Sequence, residues 1–212
     1  MNAAGASTAL QDSSATLPAA PADAEIRPAL RNWLLARAAR GGGDVVLEEL
    51  GLLRGCVRVD LVLVSRILHG FEIKSDRDSL GRLENQAEVY GKVLDRATLV
   101  VGGRHLAKAM SIIPSWWGVI RVEASESGLD FKTQRRGHMN PYRDPRSLAE
   151  LLWLEDALSL LAERDLARGA RGKTRAAVWD RLCAHLGVEE IAAAVRSQLK
   201  ARSRTQCHRR LA

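Results

Sequence analysis

Residues 57–74 read VRVDLVLVSRILHGFEIK, and the fold turns on how they are read. Residues 57–64 (VRVDLVLV) form a β-branched run suited to a buried strand, and residues 68–74 (LHGFEIK) make a second strand pattern with Gly70 inside it. Ser65 and Arg66 lie in the connection, so a hairpin is expected. Side chains alternate along a strand, which puts Glu72 and Lys74 on one face and points Phe71 and Ile73 into the core. Pairing across the hairpin can bring Asp60 close to Glu72.

Two carboxylates and an ammonium on an apolar sheet are costly unless a cation or hydrogen bonds satisfy them. A hard divalent ion, Mg²⁺ or Mn²⁺, answers that need: it takes oxygen ligands and keeps waters for a phosphate. Such an ion polarises a phosphoryl oxygen and lowers the pKa of a bound water. Lys74 would orient the nucleophile and offset charge in the transition state. Acidic residues on an edge strand are common, however, and this Asp-to-Glu-x-Lys spacing also recurs by chance. The apolar, β-branched setting of both carboxylates is what favours a site.

Working outward, Ile26, Leu30, Trp33, Leu34 and Ala38 recur at helical spacing, and Gly41-Gly42-Gly43 ends that helix. Val45, Val46 and Leu47 begin a further strand-like run. Asp76 or Asp78 can cap a helix whose apolar positions are Leu80, Leu83, Ala87, Tyr90 and Leu94. ATLVVGG (97–103) and WWGVIRVE (116–123) supply two more strands, with a short helix around His105 to Met110 between them. This order predicts an α/β core, a mixed sheet flanked by helices, over residues 25–125. Residues 1–24, rich in Ala, Ser and Pro, are expected to be a disordered tail. Residues 126–146 read as an exposed basic linker, 147–204 as a C-terminal helical extension, and 205–212 as a basic tail.

Asp60 followed by Glu72-Ile73-Lys74 resembles the signature of the PD-(D/E)XK nuclease superfamily, with Val59 where the eponymous proline often stands. Gln86-Ala87-Glu88-Val89-Tyr90, one helix later, is similar to the Gln-x-x-x-Tyr motif of its RecB-like branch. More narrowly, residues 68–102, with IIPSWWGVI (112–120) and KTRAAVWDRL (173–182), closely resemble a family of small bacterial proteins of this type. The resemblance covers most of residues 25–200 and brings no known substrate. It implies a restriction-endonuclease-like core and a metal-dependent deoxyribonuclease with Asp60, Glu72 and Lys74 as catalytic residues. It further implies DNA repair or defence against foreign DNA. A catalytically inactive or partner-dependent nucleic-acid-binding protein of the same fold is the rival expectation.

The superfamily carries a third acidic residue, and three positions compete for it. Glu49 ranks first as a metal ligand beside Asp60 and Glu72, then Glu25 at the first helix, then Glu48, which would point to the other face. Gln86 and Tyr90, at i and i+4, share a helix face and could contact a DNA backbone or support the site. Arg58 flanks the site and could hold a phosphate, although a solvated surface charge is the commoner role. His69 has no second ligand at a zinc spacing, and Trp116-Trp117 suits core packing better than base stacking.

The formal charge of +7 favours a polyanionic partner, and DNA is the partner that fits the motif. No run approaches the length of a membrane span, so no membrane partner is expected. Cys56, Cys183 and Cys207 form no metal or disulfide pattern, which suggests a reduced cytoplasm. Leu186-Gly187-Val188 could turn a helix-turn-helix reader, but the helix after it leads with acids and lacks base-reading side chains. A packing or oligomer-forming bundle is expected there, leaving a homo-oligomer or a partner protein open.

Overall fold

In a computed structural model of the chain, residues 20–126 and 128–211 are described. The hairpin forms as read: β2 (Val57–Val64) pairs antiparallel with β3 (Leu68–Lys74) through Leu61↔Phe71 to Val64↔Leu68. Around it, β1 (Val45–Leu52), β4 (Arg96–Gly102), β5 (Gly118–Ser125) and β6 (Gly128–Arg135) complete a six-stranded sheet in the order β1-β2-β3-β4-β5-β6. β3, β4 and β5 run parallel, and the remaining pairs are antiparallel. The parallel steps need crossovers, which α2 (Leu83–Val93) and α3 (Leu106–Ile112) supply. The chain is thus a mixed α/β sheet flanked by helices, with a C-terminal helical extension.

The sheet buries both faces. On one, α1 (Asp23–Ala38) lays Ile26, Leu30, Leu34 and Ala38 against Leu61, Leu63, Phe71, Ile73 and Val100. The i, i+4 repeat of those four helix residues makes a single apolar stripe. Trp33, expected in that stripe, is instead 46% exposed, because it stands one position off the i+4 row. Gly42, at φ 59°, ends the helical turn, a left-handed conformation that glycine adopts without a Cβ penalty.

The other face carries α2, α3 and the C-terminal helices α4 (Pro145–Ala149), α5 (Leu154–Ala162), α6 (Arg175–His185) and α7 (Val188–Leu211). Ile191, Val195 and Leu199 of α7 join the same core as Leu83, Tyr90 and Trp117, so the extension packs on the sheet. Asp95, at the end of the α2 crossover, ties them polarly. Its carboxylate accepts from Leu68 N at 2.6 Å, Arg143 Nη1 at 2.5 Å and Arg196 Nη1 at 3.2 Å. Trp116 and Trp117 are core residues, as their composition suggests.

Several sequence expectations are corrected. Residues 128–135, read as part of a basic linker, are strand β6: Leu129 to Lys132 all pair with β5, and Leu129 and Phe131 also pack on the α1-side core. Within the expected helical extension, residues 150–153 separate α4 from α5, and α4 begins at Pro145. Neither Asp76 nor Asp78 caps α2; Asp78 accepts from Ser75 N and Oγ, and Asp76 accepts from Arg104 N. α7 runs on through the expected basic tail to Leu211. The expected disordered tail falls mostly on residues 1–19, outside the described residues, and residues 23 and 24 already belong to α1.

Candidate active site

β2 and β3 part where the acidic residues begin. The β2–β3 ladder stops at Leu61↔Phe71, one step short of Asp60 and Glu72. Ile73 N, instead of continuing the ladder, donates to Asp60 Oδ2 at 2.7 Å. On the other side of Asp60, the β1–β2 ladder skips the pair between Glu48↔Leu61 and Leu50↔Val59, and Glu49 takes a left-handed φ of 54°. A non-glycine residue in that region is strained and persists only when its surroundings hold it. The result is a polar cleft of about 500 Å³ lined by Glu49, Arg58, Asp60, Glu72, Lys74 and Gln86, among others.

Glu72 stands at its floor, 2% exposed, in the third strand of the sheet. Oε1 accepts from Lys74 Nζ at 2.6 Å and from Gln86 Nε2 at 2.5 Å; Oε2 accepts from the Tyr90 hydroxyl at 2.5 Å. Burial pushes the Glu72 carboxyl above its ordinary pKa and the charge of Asp60 adds to this, while Lys74 and Tyr90 oppose it. Burial, and then Glu72, raise the Tyr90 phenol far above its ordinary value, so it acts as a donor. Its oxygen also lies 2.9 Å from the Arg58 carbonyl, leaving one phenolic proton between two acceptors. Because Gln86 Nε2 faces a carboxylate, the amide orientation is fixed, and Gln86 Oε1 is left buried without a partner.

The residue that sequence reading missed is Arg27, on α1. Nη2 donates to Asp60 Oδ1 at 2.8 Å, and Nη1 donates to Glu49 Oε1 at 2.8 Å. Burial disfavours the Arg27 charge, but bonds to Asp60 and Asp23 more than offset this and raise its pKa. No local motif announces it; the only sequence signal is an arginine one position past the apolar Ile26 on an amphipathic helix.

The structure therefore brings Asp60, Glu72 and Lys74 into one cleft and adds Glu49, which lies on Arg27 and 3.9 Å from Arg58 Nη1. The two competing acids are elsewhere: Glu25 accepts from Ala22 N at 2.8 Å, and Glu48 pairs with Arg31 at 2.6 Å. Of the two roles expected for Gln86 and Tyr90, the geometry serves support of the site: both hold Glu72, and Tyr90, fully buried, is not placed to touch a DNA backbone. Arg58, largely exposed, stands at the rim.

The donors suit a hard cation in chemistry, since Asp60 and Glu72 offer carboxylate oxygens from adjacent strands and Mg²⁺ needs only one or two. Glu49 does not complete a three-carboxylate set, because its carboxylate is turned onto Arg27. Among the described residues, no three His, Cys, Asp or Glu side chains are grouped for a metal.

The profile of the family described as Bacteriophage P4 protein cII matches residues 19–211. This chain belongs to that family. Protein cII of Enterobacteria phage P4 is 27% identical over 115 residues, 54% of this chain and 43% of that protein. The match thus spans less than half the length of that relative. A protein of unknown function from Silicibacter pomeroyi, SPO1766, superposes with a TM-score of 0.39 at 21% identity, over 68% of this chain and 92% of that one. In this member of the cII family, matched residues 19–211 include every side chain of the cleft, Arg27 among them. Also among the described residues, no helix is long and apolar enough to cross a membrane.

Proposed function

We propose that the chain is a metal-dependent nuclease of the PD-(D/E)XK type that hydrolyses phosphodiester bonds in DNA. The observation that carries the reading is Glu72 and Lys74, buried and bonded to each other, facing Asp60 across the gap where β2 leaves β3. A buried ionic cluster costs stability, so its presence in an open cleft argues for chemistry rather than packing. Asp60 and Glu72 would hold Mg²⁺ or Mn²⁺, which supplies Lewis acidity and a more acidic water. Lys74 would bind and orient an anionic oxygen at the floor. Tyr90 and Gln86 fix the rotamer of Glu72, and Arg58 offers a phosphate contact at the rim. A cytoplasmic setting and a role in DNA repair or defence against foreign DNA belong to the same proposal.

One observation favours the rival, a nucleic-acid-binding protein that is inactive or waits for a partner. Arg27 already occupies Asp60 Oδ1 and Glu49, and both Glu72 oxygens are engaged within the chain. The deciding experiment incubates the full chain with circular single-stranded and supercoiled plasmid DNA, with Mg²⁺, Mn²⁺ or EDTA. Asp60→Asn and Lys74→Met variants, checked for folding by circular dichroism, run alongside. Metal-dependent cutting lost in both variants is the expected result. DNA binding without cutting in every arm would replace the nuclease with the binder.

A further inference from the structure

The sheet carries a second cleft on its other face. His69 and Phe71 point toward α1, whereas Glu72 and Lys74 point toward α2, and the two clefts share no lining residue. This cleft, about 470 Å³, is lined by Trp33 and Arg37 of α1, by Arg96 of β4, and by Arg135 and Arg136 at the end of β6. Among the described residues, no acidic side chain lines it.

Several other arginines meet carboxylates: Arg27, Arg31, Arg143, Arg146 and Arg196. Among the described residues, the side chains of Arg37, Arg96 and Arg136 have no hydrogen bond or ion pair, and Arg96 Nε is buried without a partner. Arg135 is held by the Trp117 and Pro114 carbonyls at 2.8 and 3.0 Å, which fix the guanidinium without cancelling its charge. The field is felt locally: burial, and then Arg96 and Arg37, push the His69 imidazole down to about 3. His69 itself is tied to Thr98 Oγ1 at 2.8 Å and stacked on Phe71.

Uncancelled guanidiniums at a concave surface match a phosphate in charge and in forked geometry. Beside them, Trp33 is 46% exposed, and a flat exposed ring is a platform for a base. We infer that this cleft binds a nucleotide unit, its phosphate held by Arg37, Arg96 and Arg136 and its base laid on Trp33. The unit could belong to a free nucleotide or to a nucleic-acid strand. The inference stands apart from the hydrolytic reading, since it uses no residue of the Glu72 cleft.

The test is equilibrium binding of a fluorescein-labelled oligothymidylate to the full chain in EDTA, with dTMP and inorganic phosphate as competitors. The R37E/R136E variant alters exposed residues without partners, so its fold should survive; R168E/R171E makes the same charge change on the helical extension. The expected result is a loss of about tenfold or more for R37E/R136E and less than about threefold for the control. Trp33→Ala should weaken oligothymidylate and dTMP but leave inorganic phosphate unchanged. Competition by dTMP at concentrations like those of the unlabelled oligonucleotide would assign a free nucleotide, and competition by the oligonucleotide alone a strand. Equal losses in both charge-reversal variants, phosphate competing as well as dTMP, or no binding of any probe would overturn the inference. Binding retained in an Asp60→Asn chain would show the cleft working whether or not the chain cuts DNA.

Discussion

Arg27 Nη2 lies 2.8 Å from Asp60 Oδ1, joining a helix to a strand position 33 residues later. The guanidinium supplies the positive charge that a divalent cation would otherwise supply to Asp60. Arg27 and the ion should therefore compete for the same carboxylate. Arg27→Gln should raise affinity for Mn²⁺, read by electron paramagnetic resonance, by about tenfold, the equivalent of about 1.4 kcal/mol. Affinity unchanged or lowered by the substitution would show that Arg27 is no competitor.

Breaking the buried pair on β3 should be costly. Glu72→Gln leaves the Lys74 ammonium at the cleft floor without its carboxylate, a change of about 3–5 kcal/mol. Combining it with Lys74→Met should recover much of that loss. Urea denaturation of both variants and the wild type decides it; a double variant weaker than the single one would contradict the account.

Tyr90→Phe removes one proton donor from a closed site where Glu72 Oε2 and the Arg58 carbonyl both depend on it. A loss of about 1–3 kcal/mol in the urea transition is expected, with the circular dichroism spectrum unchanged.

His69 should make the fold sensitive to acid. Its pKa falls from 6.5 to about 3 on folding, so between these values the unfolded chain binds the extra proton. Stability then rises with pH across that window and is lost as pH falls below 6.5, with a slope of at most about 1.4 kcal/mol per pH unit from this one group. His69→Gln should flatten that limb in urea melts taken at a series of pH values between neutral and acid. An unaltered limb would mean other groups control it.

Asp95→Asn should loosen the C-terminal helices, since Arg143 and Arg196 lose their shared buried anion. A destabilisation of about 3–5 kcal/mol is expected. Limited proteolysis should cut first between α4 and α7; cleavage no faster than in the wild type would place the tie elsewhere.

The hairpin and the strands after it were legible because their apolar runs are long and β-branched, and local pattern decides such elements. Strand alternation and the hairpin put Asp60, Glu72 and Lys74 at one end of the sheet, but the ladder stops before them and Ile73 N and Arg27 hold Asp60 in place. β6 was not legible because Lys132 and Arg135, followed by Arg136, give the segment a basic, linker-like composition that masks the alternation of Leu129 and Phe131 with Asp130 and Lys132. Trp33 was misplaced because hydrophobicity does not say which side of a helix stripe a residue falls on. Arg27 and the left-handed Glu49 were not legible at all. One acts through a contact made only when α1 docks, the other through a backbone angle that side-chain chemistry does not encode.

The unpartnered Oε1 of Gln86 sorts visitors by polarity of hydrogen. An amide oxygen accepts and never donates, so a group that reaches it must bring a hydrogen, as a hydroxyl or an ammonium does and a bare phosphate oxygen does not. A phosphate in the Glu72 cleft would therefore settle toward Lys74 and Arg58, with the Gln86 corner left to a molecule bearing hydrogen.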